Sequence, residues 1–119
     1  MVGMFKGSLW IMVAGPYTTN APMAEQRHQN LMRLNQAAYA VYKKGHIPIL
    51  GVNMALPMVE AVGEDHFEEL MMPMSFALAK KCDAVLRLEG WSFGADAEVD
   101  AIIKQGGKVF RNLDEIPEL

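Results

Sequence analysis

Cysteine and histidine are scarce in this sequence. One cysteine, Cys82, stands among 119 residues, so an intrachain disulfide is excluded, and the three histidines provide no zinc-ligand spacing. Absence of disulfides is typical of proteins in reducing compartments. We therefore expect a cytoplasmic protein that holds neither a metal ion nor another cofactor.

An excess of basic charge and a long apolar run are also absent. Eleven Lys and Arg stand against 14 Asp and Glu, which gives a net charge of −3. Binding to a nucleic-acid backbone needs clustered positive charge, and a membrane-spanning helix needs about 20 consecutive apolar residues. Residues 1–9 lack the apolar core of a signal peptide. These features predict that neither a nucleic-acid polymer nor a membrane is a partner.

Apolar residues, by contrast, are plentiful. They make up 51% of the chain against 21% charged residues, which is enough to build the core of one domain over residues 1–119. Ten residues are methionine, and Met71, Met72 and Met74 cluster. Methionine fills irregular gaps in cores and also suits adaptable contact surfaces, so both interpretations stay open for this cluster.

Short apolar runs alternate with helical periodicity along the chain. The patterns predict strands over residues 9–14, 47–50, 83–88 and 108–111, and helices over residues 24–44, 65–81 and 93–105. Pro73 is expected to kink or restart the second of these helices. Residues 53–63, which Pro57 interrupts, are predicted to form a loop with some helical character. Residues 113–119 are predicted to form a short tail with one helical turn.

Strands that alternate with helices indicate a parallel sheet with helices on both faces. We expect a small doubly wound α/β fold, Rossmann- or flavodoxin-like, with four to five parallel strands in the order 2-1-3-4. Such folds bind ligands beyond the carboxyl ends of the strands, where the strand order reverses. Residues 15–20 and 89–98 follow strands at that edge and are the candidate site segments.

Glu98 is the most informative residue of these segments. In the helix after the third strand, Ala95, Glu98 and Ile102 fall on one row, so a carboxylate shares an otherwise apolar face. Burying a carboxylate without partners is costly, which favours a site carboxylate. The alternative is a Glu98 that reaches solvent or pairs with Arg27 or Arg87. The neighbouring row of Asp96, Asp100 and Lys104 predicts a solvated face.

Ser92 precedes the same helix and is followed by Gly94 and Ala95. A serine at a helix N-terminus offers a hydroxyl and free backbone N–H groups to an anion such as phosphate. The same residues also make an ordinary N-cap. We name Ser92, Gly94 and Ala95 as candidate phosphate ligands, with the cap as the alternative.

Tyr17 stands just after the first strand, two residues beyond Gly15, which is a further candidate contact of the substrate or its phosphate. Its phenol is expected over the sheet edge that carries Glu98, although a half-buried capping tyrosine is the alternative. Arg27 and Asn30 lie one turn apart on the first helix and are candidate contacts of an anionic ligand. A solvated helix start explains these two residues equally well.

Three stretches together resemble a known family. Residues 14–17 (Ala-Gly-Pro-Tyr), 82–86 (Cys-Asp-Ala-Val-Leu) and 90–98 (Gly-Trp-Ser-Phe-Gly-Ala-Asp-Ala-Glu) are similar to the nucleoside 2-deoxyribosyltransferase-like superfamily, and most closely to its small DUF4406 branch. The resemblance covers nearly the whole chain. Its most specific part is the Ser-x-Gly-x-x-x-Glu spacing, which is similar to that of the deoxynucleoside 5′-monophosphate N-hydrolases.

The resemblance implies a reaction and roles for three residues. Glu98 would attack the anomeric carbon of the sugar to give a covalent glycosyl-enzyme, as in retaining glycosidases, and Tyr17 would orient it. Ser92 would contact the 5′-phosphate. The implied substrate is a (deoxy)nucleoside 5′-monophosphate.

The sequence departs from the family at one catalytic position. Enzymes of the family carry an aspartate, well before the nucleophile, that protonates the leaving base, whereas residues 71–74 here read Met-Met-Pro-Met. Glu68, Glu69 or Asp65 would replace that aspartate only if the helix were shifted. Loss of a general acid costs about 10²- to 10⁴-fold in rate, so a non-catalytic nucleotide-binding module is the alternative function. A phosphoribohydrolase-like activity is a weaker third candidate, because its Pro-Gly-Gly-x-Gly-Thr motif is absent.

A chain of 119 residues has few long loops with which to enclose such a site. We therefore expect a homodimer or a higher homo-oligomer whose second subunit covers the crevice. The segment with Met71, Met72 and Met74 is the expected contact.

Overall fold

The computed structural model describes residues 7–119. The prediction that residues 1–9 lack a signal peptide therefore falls mostly on residues 1–6, which lie outside the described residues. The sheet is parallel, with the order β2-β1-β3-β4. The doubly wound α/β fold and the strand order predicted from sequence are thereby confirmed, with four strands. These are β1 (Trp10–Ala14), β2 (Ile47–Ile49), β3 (Ala84–Arg87) and β4 (Lys108–Phe110).

Helices fill the connections between the strands. One helix follows β1, two lie between β2 and β3, and one lies between β3 and β4. They are α1 (Ala24–Lys43), α2 (Gly51–Val62), α3 (Phe67–Ala79) and α4 (Phe93–Lys104), with short 3₁₀ turns at Glu64–His66 and Leu113–Glu115. The predicted bounds of α1 and α4 are correct to one residue. Within residues 7–119, no helix is long and apolar enough to cross a membrane.

The prediction of a loop over residues 53–63 is wrong, because this segment belongs to α2. Pro57 lies inside the helix and is exposed. An internal proline removes one helical hydrogen bond, at a cost of about 3 kcal/mol. Burial of Val52, Ala55 and Val59 along one face of α2 offsets that cost.

Pro73 does not restart the helix that contains it. α3 is continuous from Phe67 to Ala79 and begins after a 3₁₀ turn, two residues later than predicted from the sequence. Pro73 is exposed, so its ring points away from the sheet. The unbroken helix keeps a regular spacing over its whole length, and one face of α3 therefore reaches the site described below.

Both faces of the sheet are covered. Ile11 and Val13 of β1 belong to a core cluster with Leu34 of α1, whereas Met12 belongs to a second cluster with Ile102 of α4. Successive side chains of a strand point to opposite faces, which explains the two clusters. All five of these residues are at most 3% exposed, so β1 is buried on both faces and reads as a continuous apolar run in the sequence.

Candidate functional site

A cavity of about 230 Å³ lies at the carboxyl ends of β1 and β3. The loop after β1, the first turn of α2, one face of α3 and the first two turns of α4 line it. This is the edge at which the strand order reverses and where doubly wound folds bind ligands. Of the residues named as candidates from the sequence, the cavity brings together Gly15, Tyr17, Ser92, Gly94, Ala95 and Glu98.

Glu98 lies in the second turn of α4, where its carboxyl group faces the cavity. Burial raises the pKa of this carboxyl from 4.5 to about 7, and a hydrogen bond from the Ser75 hydroxyl and the positive charge of Arg87 oppose the rise. Ser75 is only 4% exposed. Neither Arg27 nor Arg87 forms a salt bridge with Glu98 among the described residues. Burial is thus the dominant influence on this carboxyl group, and the neighbouring hydroxyl and guanidinium offset it only in part.

Ser75 also packs directly against the start of α2, because α2 and α3 approach each other closely. A Cβ atom at Gly51, the first residue of α2, would lie 2.1 Å from Ser75 Oγ and 3.0 Å from Ser75 Cα. Only glycine leaves room for this contact. The sequence reasoning missed Ser75 and Gly51, although a serine on the apolar row one turn beyond Met71 and Met72 was a usable signal.

Arg87 at the end of β3 fixes the loop that leads into α4. Its guanidinium contacts Asp96 Oδ1 at 3.0 and 3.1 Å, donates to the Gly90 carbonyl at 2.9 Å, and donates to the Leu88 carbonyl. The Arg87 side chain is 8% exposed, whereas that of Asp96 is 64% exposed. Asp96 is therefore exposed, as the sequence predicts, but its carboxylate also pairs with the buried guanidinium of Arg87.

Ser92 is the N-cap of α4. Its Oγ accepts a hydrogen bond from the Ala95 N–H at 3.1 Å, as an ordinary cap does. The same hydroxyl lies at the cavity, and its own hydrogen stays available to a ligand. Gly94 keeps this wall open, because a Cβ atom there would lie 3.4 Å from Met72 Sδ.

Tyr17 places its phenol between two cavities. It lines the first cavity and also a second one of about 620 Å³. Burial raises the pKa of Tyr17, although the charge of Arg27 opposes the rise, so the phenol is a neutral hydrogen-bond donor at pH 7.

Arg27 and Asn30 hold the backbone of the loop that carries Tyr17. Asn30 donates its amide to the Tyr17 carbonyl at 2.9 Å, and Arg27 donates to the carbonyls of Ala21 and Pro22 at 3.0 and 2.9 Å. Arg27 lines the second cavity but not the first. Their observed contacts are therefore with the protein, and only Arg27 also faces a cavity.

α3 forms the wall of the first cavity opposite α4. Met71 and Met72 line this wall and are half-buried, and Met71 also packs against the core cluster of Ile11 and Val13. Glu68, one turn earlier, lines both cavities without any shift of the helix. A second glutamate, exposed to solvent, therefore borders the cavity, although the sequence had suggested that only a shifted helix would bring it there.

The fold and the site define a doubly wound α/β protein with a cavity at its strand ends. No protein-family model and no curated protein matches the sequence. Among residues 7–119, no three His, Cys, Asp or Glu side chains come together as metal ligands would. The residues that gather in the cavity are those of acid–base and covalent chemistry: a buried carboxyl group, a phenol and a capped helix N-terminus.

Replacing Glu98 by glutamine should stabilise the protein at alkaline pH. The pKa of the carboxyl is about 7 in the folded protein and 4.5 without burial. The folded state therefore holds the proton more tightly, so wild-type stability falls as the pH rises from 4.5 to 7 and stays lowered above that range. Glutamine does not titrate, so Glu98→Gln avoids this loss of stability. Above pH 7 its free energy of unfolding should exceed that of wild type by up to about 3 kcal/mol, since a shift of one pKa unit corresponds to about 1.4 kcal/mol.

Urea unfolding of both proteins at pH 5 and pH 8 measures this difference. Asp100 is exposed and lies two residues further along α4, so Asp100→Asn is the control. The difference in unfolding free energy between Asp100→Asn and wild type should be the same at both pH values. A stability difference between Glu98→Gln and wild type that does not change with pH would show that Glu98 does not titrate in this range.

Proposed function

We propose that this protein cleaves or transfers the N-glycosidic bond of a (deoxy)nucleoside 5′-monophosphate, with Glu98 as the nucleophile. The observation that carries the proposal is that Glu98, Tyr17 and the Ser92-capped N-terminus of α4 line one cavity. The Ser-x-Gly-x-x-x-Glu spacing, similar to that of the deoxynucleoside 5′-monophosphate N-hydrolases, supports it. The proposed setting is the cytoplasm.

A phosphate group fits the end of the cavity at which two helices begin. The first residues of α2, Gly51 and Val52, and those of α4 line the same space. A helix N-terminus carries a partial positive charge and free N–H groups, which together bind anions. No Lys or Arg is among the residues that line the first cavity, so backbone amides and the hydroxyls of Ser92, Thr18 and Thr19 would hold the phosphate.

The chemistry follows from the environment of Glu98. Its ionised carboxylate attacks C1′ of the sugar while the N-glycosidic bond breaks, and the base leaves with the bonding electrons and takes up a proton from water. The positive charge that develops at C1′ is stabilised by the adjacent carboxylate. Water in hydrolysis, or a second base in transfer, then displaces Glu98 from C1′. A carboxyl with a pKa of about 7 is ionised in a substantial fraction of molecules at neutral pH. Tyr17, a neutral donor in the same cavity, orients the carboxylate or the sugar.

A non-catalytic nucleotide-binding module is the second candidate function. The observation in its favour is that Met71 and Met72, which have no proton to give to a departing base, form the middle of the α3 wall of the cavity, whereas Glu68 is exposed at its edge. In this alternative the same helix N-termini hold the phosphate, and no bond is broken.

Incubation with a panel of nucleoside and deoxynucleoside 5′-monophosphates, followed by chromatography of free bases, separates the candidates. The proposed enzyme releases base from monophosphates and releases less from the corresponding nucleosides, which lack the phosphate. Binding without release of base would favour the module. Absence of both binding and release would exclude both functions.

We further propose that a second subunit covers the cavity. Trp91 and Phe93, on either side of Ser92, are 71% and 76% exposed, and Phe93 lines the cavity. Large exposed aromatic side chains are typical of contact surfaces. Light scattering of the purified protein tests this proposal, and a monomer at micromolar concentration would contradict it.

A further inference from the structure

Glu68 lies where the two cavities meet. It shares this position with Tyr17, Thr18 and Phe67, which also line both cavities. A ligand whose sugar lies against Glu98 in the first cavity would pass these four side chains to extend into the second. Tyr17 and Phe67 provide aromatic faces at this passage, which suits a planar heterocyclic base.

The spacing on α3 separates Glu68 from Glu98. Glu68, Met71, Met72 and Ser75 follow one another at three- and four-residue steps on one face of the helix. Ser75 lies beside Glu98, and the seven residues from Ser75 back to Glu68 span about 10 Å of helix. A nucleotide with its sugar against Glu98 and its phosphate at the start of α4 would therefore extend its base, and not its phosphate, toward Glu68.

The second cavity has walls of opposite hydrogen-bonding character. Glu64 and Glu68 contribute carboxylates on one side, and Arg27 and His28 of α1 contribute nitrogen groups on the other. Carboxylates accept hydrogen bonds and donate none, whereas a guanidinium only donates. The edge of a nucleobase carries both donors and acceptors and matches such a pair of walls.

We propose that the second cavity is a base-recognition subsite in which Glu68 accepts a hydrogen bond from the exocyclic amino group of the base. The proposal rests on the proposed function and narrows the substrate class to nucleotides of amino-bearing bases, such as adenine and cytosine. The deaminated counterparts present a carbonyl oxygen at the same position, and that oxygen faces the Glu68 carboxylate without a proton to share.

Dissociation constants of matched nucleotide pairs test the proposal. The pairs are the 5′-monophosphates of deoxyadenosine and deoxyinosine and those of deoxycytidine and deoxyuridine. All measurements are made in the Glu98→Gln background, in which the ligand is not consumed. The amino-bearing member of each pair is expected to bind about 10-fold more tightly or better, the discrimination that a good hydrogen-bonded pair provides.

Addition of Glu68→Gln should reduce this preference to about twofold or less, because an amide both accepts and donates and thus accommodates either base. The matched control is Glu69→Gln. Glu69 is exposed, contacts His66 Nδ1 at 3.0 Å and lines neither cavity, so this change should leave the preference intact. Loss of preference in Glu68→Gln alone would support the subsite.

Equal affinity for both members of each pair, or an equal effect of Glu68→Gln and Glu69→Gln, would overturn the subsite while leaving the proposed function in place. A base-free probe, 2-deoxyribose 5-phosphate, separates the two claims. If that probe binds and bases are not distinguished, only the subsite fails. If neither the probe nor any nucleotide binds, the proposed function fails and the subsite fails with it.

Discussion

The Glu98→Gln protein is expected to bind a deoxynucleoside 5′-monophosphate and to release base from it about 10³- to 10⁶-fold more slowly than wild type, as loss of a covalent nucleophile does. An amide oxygen does not form a stable ester with C1′, so the covalent intermediate cannot form. The glutamine side chain keeps the shape of glutamate and can still accept the hydrogen bond from Ser75. Base release under single-turnover conditions measures the effect.

Asp100→Asn is the control for this change, because Asp100 lies exposed on the outer face of the same helix. It removes the same charge from α4 and should alter the rate less than about twofold, as surface substitutions usually do. A Glu98→Gln protein that keeps a tenth or more of wild-type activity would remove Glu98 from the nucleophile role.

Replacing Arg87 by methionine is expected to lower the free energy of unfolding by about 3 kcal/mol. Arg87 is buried and its guanidinium makes hydrogen bonds to Asp96, Leu88 and Gly90. Each hydrogen bond to a charged group contributes about 1.5 to 3 kcal/mol, and methionine restores only the packing of the aliphatic stem. Because Asp96 is exposed to solvent, the Arg87→Met change leaves no buried charge without a partner.

Urea unfolding measures this loss, with Lys104→Met as the control. Lys104 is exposed at the end of α4, and its replacement should change stability by less than about 0.5 kcal/mol. Asp96→Asn should cost about 1 to 3 kcal/mol, because it leaves the buried guanidinium without a counter-charge. An Arg87→Met protein as stable as the control would show that this network does not hold the β3–α4 loop.

Much of the fold is predictable from sequence because its central strands are buried on both faces. β1 therefore reads as an apolar run and β3 as a shorter one that ends at Arg87, and the alternation with helices predicts a parallel sheet. α2 was not predictable in the same way. Its apolar residues are not confined to one face, and Pro57 suggests a break that tertiary packing overrides.

The residues of the candidate site also differ in how well the sequence predicts their position. Tyr17 lies in the loop after β1, and Ser92 and Glu98 lie at the start of the helix that follows β3, so the order of the elements along the sequence places them at the sheet edge. Glu68 lines the cavity and Ser75 packs against Gly51 because α3 lies beside α2, and the packing of two helices depends on more than the residue spacing of either one.

Arg27 and Asn30 are candidate ligand-binding residues for which the structure shows contacts with the protein. Both have the chemistry of ligand-binding residues, yet their hydrogen bonds go to backbone carbonyls of the loop before α1. A polar side chain that fixes a loop and one that binds a ligand look the same in a sequence, because both need donors at a helix start.

The most direct test of the proposed function is covalent trapping of the sugar. A deoxynucleoside 5′-monophosphate that carries fluorine at C2′ disfavours positive charge at C1′, so a glycosyl ester formed with the protein breaks down slowly. We predict that intact-mass spectrometry detects the addition of one fluorinated sugar phosphate, that peptide mapping places it on Glu98, and that Glu98→Gln stays unlabelled. Release of base without a label on Glu98, a label on another residue, or no reaction at all would contradict the account.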